Sequence, residues 1–156
     1  MLLPPRLDND YRGHPAAIFL FAFVVLARIG QSVVALVGGA RSVMGADGIP
    51  LDSYPAAAAQ TIVASYANYA VLRLFLFAVC VVVLFRYRSA IPAMLALLLL
   101  QFLAAQVLHA WMPVVRSGAA PAPLVNRVLA ALMVIGLALS LWPRANTLKK
   151  SAVTMA

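Results

Sequence analysis

The chain carries at residues 56–85 the run AAAAQTIVASYANYAVLRLFLFAVCVVVLF, which contains a single charged residue, Arg73. About 20 apolar residues suffice to cross the hydrocarbon core of a bilayer as a helix. The continuous Leu, Val and Ala favour a helix, because a membrane strand alternates apolar and polar residues. The run therefore predicts a membrane-spanning helix with an arginine in its interior.

Three further apolar runs of this kind surround it, at 15–39, 89–111 and 122–142. The chain is 65% hydrophobic and 10% charged, with a mean hydropathy of +0.97, which is typical of membrane proteins. We predict an all-α integral membrane protein, a four-helix bundle that forms one domain over 15–142. A head and a basic tail remain outside the domain, at 1–14 and 143–156.

The net charge of +8 is distributed unevenly between the two sides of the predicted bundle. The head, the turn at 86–88 and the tail hold seven cations, whereas the other two loops hold Arg41 and Arg116. Since Lys and Arg concentrate on the cytoplasmic side, both termini are predicted to be cytoplasmic. The charge is thus explained by topology, and no nucleic-acid partner is predicted.

The connections differ in length and composition. The loop from Ala40 to Pro55 is predicted to be irregular because it is rich in glycine and proline, and its Asp47 or Asp52 is expected to fold back over the bundle. The short turn at 86–88 predicts that the second and third helices are antiparallel neighbours. The fourth helix is predicted to begin near Ala122.

Three arginines, Arg28, Arg73 and Arg127, lie within the spans, whereas all four acids lie outside them. An arginine near the bilayer centre costs from about 3 to over 10 kcal/mol, so it normally faces a protein interior, a wet cavity or a headgroup. At 1.5 Å per residue, Arg28, Arg73 and Gln101 all lie about 18 to 20 Å from the cytoplasmic ends of their helices. This shared depth predicts a polar site between the helices.

Guanidinium groups bind a carboxylate, a phosphate or a carbonyl in forked geometry. Tyrosines and amides on the same helix faces, and a shallower polar layer, are predicted to complete the site. The candidate residues for binding a ligand or partner are Arg28, Gln31, Tyr66, Tyr69, Arg73, Gln101, Gln106, His109, Asn126 and Arg127.

Most catalytic and cofactor chemistries lack their usual residues in this chain. Its only histidines are His14 and His109, too few for a dihaem cytochrome. Its only cysteine is Cys80, so neither disulfide chemistry nor a cysteine-rich metal site is predicted. We predict a protein that is not an enzyme, with no catalytic residues, cofactor or metal.

Several features follow one another in a recognisable order: Leu84-Phe85-Arg86-Tyr87-Arg88, Pro92, His109-Ala110-Trp111, Asn126-Arg127 and a basic tail at 144–150. On these features, over residues 66–150, the chain resembles the YdgK-like family of uncharacterised bacterial inner-membrane proteins. The resemblance implies four helices and a place in the inner (cytoplasmic) membrane. It implies no activity, because the family has none assigned.

Two functions fit these residues, and in both the lipid bilayer is a partner. The first is a non-enzymatic accessory subunit or small scaffold, whose buried arginines meet anionic lipid or the acids of a membrane-protein partner or a second copy. The second is a binding or transport protein for an anionic or carbonyl-bearing amphiphile, such as a lipid or a quinone. It predicts an elongated cavity lined by Arg28, Arg73 and the face of Tyr66 and Tyr69.

Overall fold

Four long helices make up the fold in the computed structural model, which describes residues 6–118 and 120–142. Each is long and apolar enough to cross a membrane. No strand occurs among the described residues, so the all-α prediction is confirmed, while the predicted tail at 143–156 lies outside them. The helices are α1 (Ala16–Asp47), α2 (Ala56–Arg86), α3 (Ile91–Trp111) and α4 (Ala122–Leu141).

The helices pack in the spatial order α2, α1, α4, α3. α1 packs along α2 and along α4, and α3 packs along α4, whereas α2 and α3 barely touch. The turn at Arg88–Ala90 contacts both α2 and α3, so these helices meet there and separate beyond it. Close packing of this pair is therefore limited, because a short turn constrains only the two helix ends that it joins.

The residues before α1 close the end of the bundle that carries the α2–α3 turn, which we call the turn end. The N–H of Asp8 donates to Oγ of Ser89 over 3.0 Å, and that hydroxyl donates to the Asp8 carbonyl over 2.9 Å. The N–H of His14 donates to the carbonyl of Leu139 over 3.1 Å. Tyr11 packs against the core, and burial raises its pKa to about 12. The turn end is therefore sealed.

α1 is longer than predicted because its last turns continue past a kink at Gly39 toward the opposite end, which we call the loop end. Gly39 has φ 49° and ψ −129°, a conformation that side chains rarely adopt. Oγ of Ser42 donates to the carbonyl of Val34 over 2.8 Å and so bridges the kink. The helix ends at Asp47 and is capped by Gly48, with φ 70°, so the prediction that the irregular loop begins at Ala40 is wrong.

Replacement of Gly39 by alanine should lower stability, because that backbone conformation costs a non-glycine residue about 1–3 kcal/mol. Gly30→Ala is the matched control, since Gly30 lies in the regular part of α1 and an added Cβ there meets nothing within 4 Å. Alanine in a helix is favoured over glycine by about 0.5–1 kcal/mol. Thermal unfolding in detergent should give a lower Tm for Gly39→Ala and an equal or higher Tm for Gly30→Ala; equal shifts would contradict the strained kink.

The hydrophobic core lies in the half of the bundle nearer the turn end. α4 contacts both neighbours there, since a Cβ at Gly136 would lie 3.5 Å from Leu95 and 3.6 Å from Leu20, which are ordinary van der Waals distances. The half nearer the loop end is packed less tightly and holds a cavity. The most completely buried large side chains of the core are Phe21, Val24, Val25, Phe77, Ile91, Leu95 and Met133.

Candidate functional site

A cavity of about 810 Å³ lies between the helices in the half of the bundle nearer the loop end. All four helices and the α3–α4 loop contribute to its wall. The structure thus brings all the predicted site residues together on one surface, and their role in binding stays a prediction. These residues are Arg28, Gln31, Tyr66, Tyr69, Arg73, Gln101, Gln106, His109, Asn126 and Arg127.

Arg28 is a buried arginine, with 9% of its surface exposed. Its Nη1 donates to Oδ1 of Asn126 over 2.6 Å and to Oε1 of Gln31 over 3.3 Å. α1 places Gln31 three residues after Arg28 on the same face, while α4 supplies Asn126 from the neighbouring helix. Both acceptors are neutral amides, and Arg28 makes no ion pair among the described residues. Its positive charge is therefore not neutralised.

The other two guanidinium nitrogens of Arg28, Nε and Nη2, have no hydrogen-bond partner within the described part of the chain. They are not sealed in the interior, because the hydroxyl of Tyr11 is the sole buried, unpartnered side-chain polar atom among the described residues. Since Arg28 lies on the cavity wall, this free edge is available to a ligand in the cavity. Its two donors match the paired oxygens of a carboxylate or a phosphate.

Arg73 lies half-buried on the same wall, between two aromatic rings of its own helix. Its Cζ lies 5.4 Å from the ring centroid of Tyr69 and 5.8 Å from that of Phe77. Both rings stand four residues from Arg73, so α2 places all three side chains on one face. Cation–π contacts of this kind contribute about 0.5–2 kcal/mol, but they leave the charge uncompensated. Arg73 has no ion pair among the described residues either.

A shallower layer of polar residues forms the rim of the cavity. Gln106 and His109 of α3 and Arg127 of α4 are exposed and line the cavity. Of the three arginines within the spans, Arg28 is buried, Arg73 is half-buried and Arg127 is exposed. Arg127 is exposed because it lies in the second turn of α4, close to the helix end.

The last turns of α1 fold over the cavity at the loop end. Asp47 accepts a hydrogen bond from the hydroxyl of Tyr66. The carbonyl of Gly48 accepts from the N–H of Ser117 over 2.7 Å and from its hydroxyl over 3.3 Å. Of the two acids predicted to fold back over the bundle, Asp47 lines the cavity, whereas Asp52 does not. These contacts place a roof over the loop end of the cavity.

Sequence reasoning missed Arg116, which lies on the cavity wall in the loop between α3 and α4. The available signal was a lone cation in a loop otherwise rich in small and apolar residues. With Arg116 the wall carries four arginines and a single carboxylate, that of Asp47. The cavity is therefore positively charged and suited to an anion.

No group of three His, Cys, Asp or Glu side chains that could hold a metal ion occurs in residues 6–118 and 120–142. Comparisons of the chain with models of protein families, with curated proteins and with solved structures gave no match. The resemblance to the YdgK-like family stays a prediction. The fold and the site define a helical protein in which four membrane-capable helices surround an arginine-rich cavity.

Proposed function

We propose that the protein is a multi-pass protein of the bacterial inner membrane with both termini in the cytoplasm. Four apolar helices support insertion, and large exposed side chains such as Phe19 and Phe75 suit contact with lipid. Arg86 and Arg88 at the turn end support a cytoplasmic position for that end. The cavity then opens in the outer half of the membrane. The resemblance to a family of inner-membrane proteins supports the location.

We propose that the cavity binds an anionic or carbonyl-bearing amphiphile, such as a lipid or a quinone. The observation that carries this proposal is the buried Arg28, which has two neutral partners and a free edge toward the cavity. A buried ion loses several kcal/mol of hydration, and neutral hydrogen bonds offset this only in part. A ligand oxygen in the cavity supplies the missing partner.

The rest of the wall suits an amphiphile. Arg73 and Arg127 add positive charge around Arg28, whereas Phe77, Leu98 and Phe102 give the cavity an apolar surface. A volume of about 810 Å³ falls within the range of small-molecule sites, roughly 300–1,000 Å³. The combination of a charged part and an apolar part matches a molecule with a polar head and a hydrocarbon portion.

An accessory subunit or scaffold is the second candidate function. In this case the acids of a membrane-protein partner, or of a second copy of the chain, neutralise the arginines. Arg127 favours this candidate, because it is exposed at the rim and a partner side chain can reach it without entering the cavity.

Native mass spectrometry of the protein, extracted gently from its own membrane, distinguishes the two proposed functions. Hydrogen bonds to a charged group contribute about 1.5–3 kcal/mol, so Arg73→Ala should lower retention of a bound amphiphile about tenfold to a hundredfold. Arg73→Lys should lower it less, because lysine keeps the charge but loses the planar fork. Arg41→Ala is the matched control, since Arg41 is exposed and not on the cavity wall.

A small molecule that is retained by wild type and Arg41→Ala and lost from Arg73→Ala supports the amphiphile site. A stoichiometric protein partner that is lost from Arg73→Ala supports the accessory subunit instead. Wild-type protein that carries neither would overturn both proposals.

A further inference from the structure

Three of the four seams between neighbouring helices around the cavity are closed by packing, namely α1–α2, α1–α4 and α3–α4. The seam between α2 and α3 is open, because these helices are joined at the turn end and approach each other far less than the other three pairs do. Cavity-wall residues of both helices are accessible: Tyr69 of α2 is 47% exposed, and Ala105 of α3 is half-buried. The seam faces the surroundings of the bundle, which in a membrane are the acyl chains.

The cavity is closed at the turn end and partly covered at the loop end. Toward the turn end, Phe77 and Leu98 form its floor with 1% and 4% of their surfaces exposed, and the core continues below them. Toward the loop end it is roofed by the hydrogen bonds of Asp47 to Tyr66 and of Gly48 to Ser117. Among the seams between helices, the α2–α3 seam is therefore the most open route from the cavity to the bilayer.

The size and charge of the cavity restrict the molecule that uses this route. A site of about 810 Å³ holds a group of drug size, which is smaller than a whole lipid with two acyl chains. Any long chain attached to the bound group must therefore lie outside the cavity. A quinone ring leaves the arginines uncompensated, since it carries no charge, whereas an anionic headgroup neutralises them.

We infer that the occupant is an anionic membrane lipid, whose headgroup enters the cavity sideways through the α2–α3 seam and whose acyl chains remain in the seam and the bilayer. This inference rests on the proposed amphiphile site. It names the lipid headgroup as the ligand and the seam as its route.

A bulky side chain on the α3 part of the cavity wall tests the route without altering an arginine. Ala105→Trp places a large ring on the cavity wall in α3, and Ala104→Trp places the same ring on an exposed face one residue away that does not line the cavity. Both full-length variants and wild type are reconstituted in phosphatidylcholine vesicles that contain phosphatidylglycerol, extracted gently and weighed by native mass spectrometry. Ala105→Trp should lower retained phosphatidylglycerol about tenfold, while Ala104→Trp retains the wild-type amount.

Equal retention by the two tryptophan variants would overturn the seam as the route. A second arm uses glycerol 3-phosphate with protein in pure phosphatidylcholine, and binding as tight as that of phosphatidylglycerol would assign the site to a water-soluble anion instead. If the amphiphile site itself does not exist, wild type and Arg73→Ala should both retain neither phosphatidylglycerol nor glycerol 3-phosphate, which distinguishes this outcome from failure of the seam.

A measurement on wild-type protein covers the case in which Ala105→Trp does not fold. Phosphatidylglycerol with a photoreactive diazirine in its acyl chain is irradiated in vesicles, and the crosslinked peptides are mapped. Crosslinks should concentrate on α2 and α3 and should decrease in Arg73→Ala, whereas crosslinks elsewhere stay constant. A uniform pattern that is unchanged in Arg73→Ala would overturn the inference.

Discussion

Arg28→Met should remove the bound anion and leave the free energy of unfolding unchanged or higher. Arg28 is buried and has two amide acceptors but no carboxylate among the described residues, so its charge is incompletely solvated in the protein. Replacement of a buried charged group by an apolar residue of similar volume is often neutral or stabilising, by about 1–4 kcal/mol. Loss of the Arg28 guanidinium should lower retention of the ligand about a hundredfold, as measured by native mass spectrometry.

Asn126→Leu provides the contrast, because it removes the amide acceptor at 2.6 Å and leaves the charge of Arg28 in place. A buried donor without its acceptor costs about 1–3 kcal/mol and more when it is charged, so chemical unfolding in detergent should show a clear loss of stability. If Arg28→Met destabilises the protein as much as Asn126→Leu does, the guanidinium is a structural element of the bundle, and its availability to a ligand is contradicted.

The four helices could be predicted from the sequence because each apolar run is long and nearly free of charge. The α4 start at Ala122 follows directly from the proline-rich segment before it. The continuation of α1 through Gly39 could not be predicted, because glycine and small residues usually end a helix. That continuation depends on a conformation that glycine tolerates and on the bond from Ser42 to Val34, which bridges the kink.

The positions of the site residues were predictable from depth, since a helix rises by a constant distance per residue and Arg28, Arg73 and Gln101 lie at similar distances from their helix ends. Their contacts were not predictable in the same way. The bond from Arg28 to Asn126 joins α1 to α4 and depends on the rotation of each helix about its axis. Apolar runs that are hydrophobic on all sides carry little information about that rotation.

The separation of α2 from α3 could not be predicted from the sequence either. A short turn restricts where two helices begin, while the packing of α1 against α2 and α4 determines the angle at which they diverge. In α1, Ala17, Phe21 and Val24 are fully buried and occupy the centre of this packing. The cavity forms because α1 packs against both α2 and α4, whereas α2 and α3 have little contact with each other.

Asn126 offers the most specific test of the charge argument, because asparagine and aspartate have nearly the same shape. Oδ1 of Asn126 lies 2.6 Å from Nη1 of Arg28, so Asn126→Asp places a carboxylate within an existing hydrogen bond. The wild-type bond already has a charged donor; the carboxylate adds an attraction between opposite charges, but it must also be desolvated. We expect these effects to offset each other, with stability within about 1 kcal/mol of wild type.

The anion site should nevertheless be lost in Asn126→Asp, because the variant supplies from within the protein the negative charge that the ligand supplies in wild type. Retention of phosphatidylglycerol should fall about a hundredfold by native mass spectrometry, an effect comparable to that of Arg28→Met although the guanidinium is intact. Asn9→Asp is the matched control, since Asn9 is exposed and lies before α1, outside the cavity wall. Retention equal to wild type in Asn126→Asp would show that the charge of Arg28 does not hold the ligand, whereas selective loss identifies that charge as the determinant of binding.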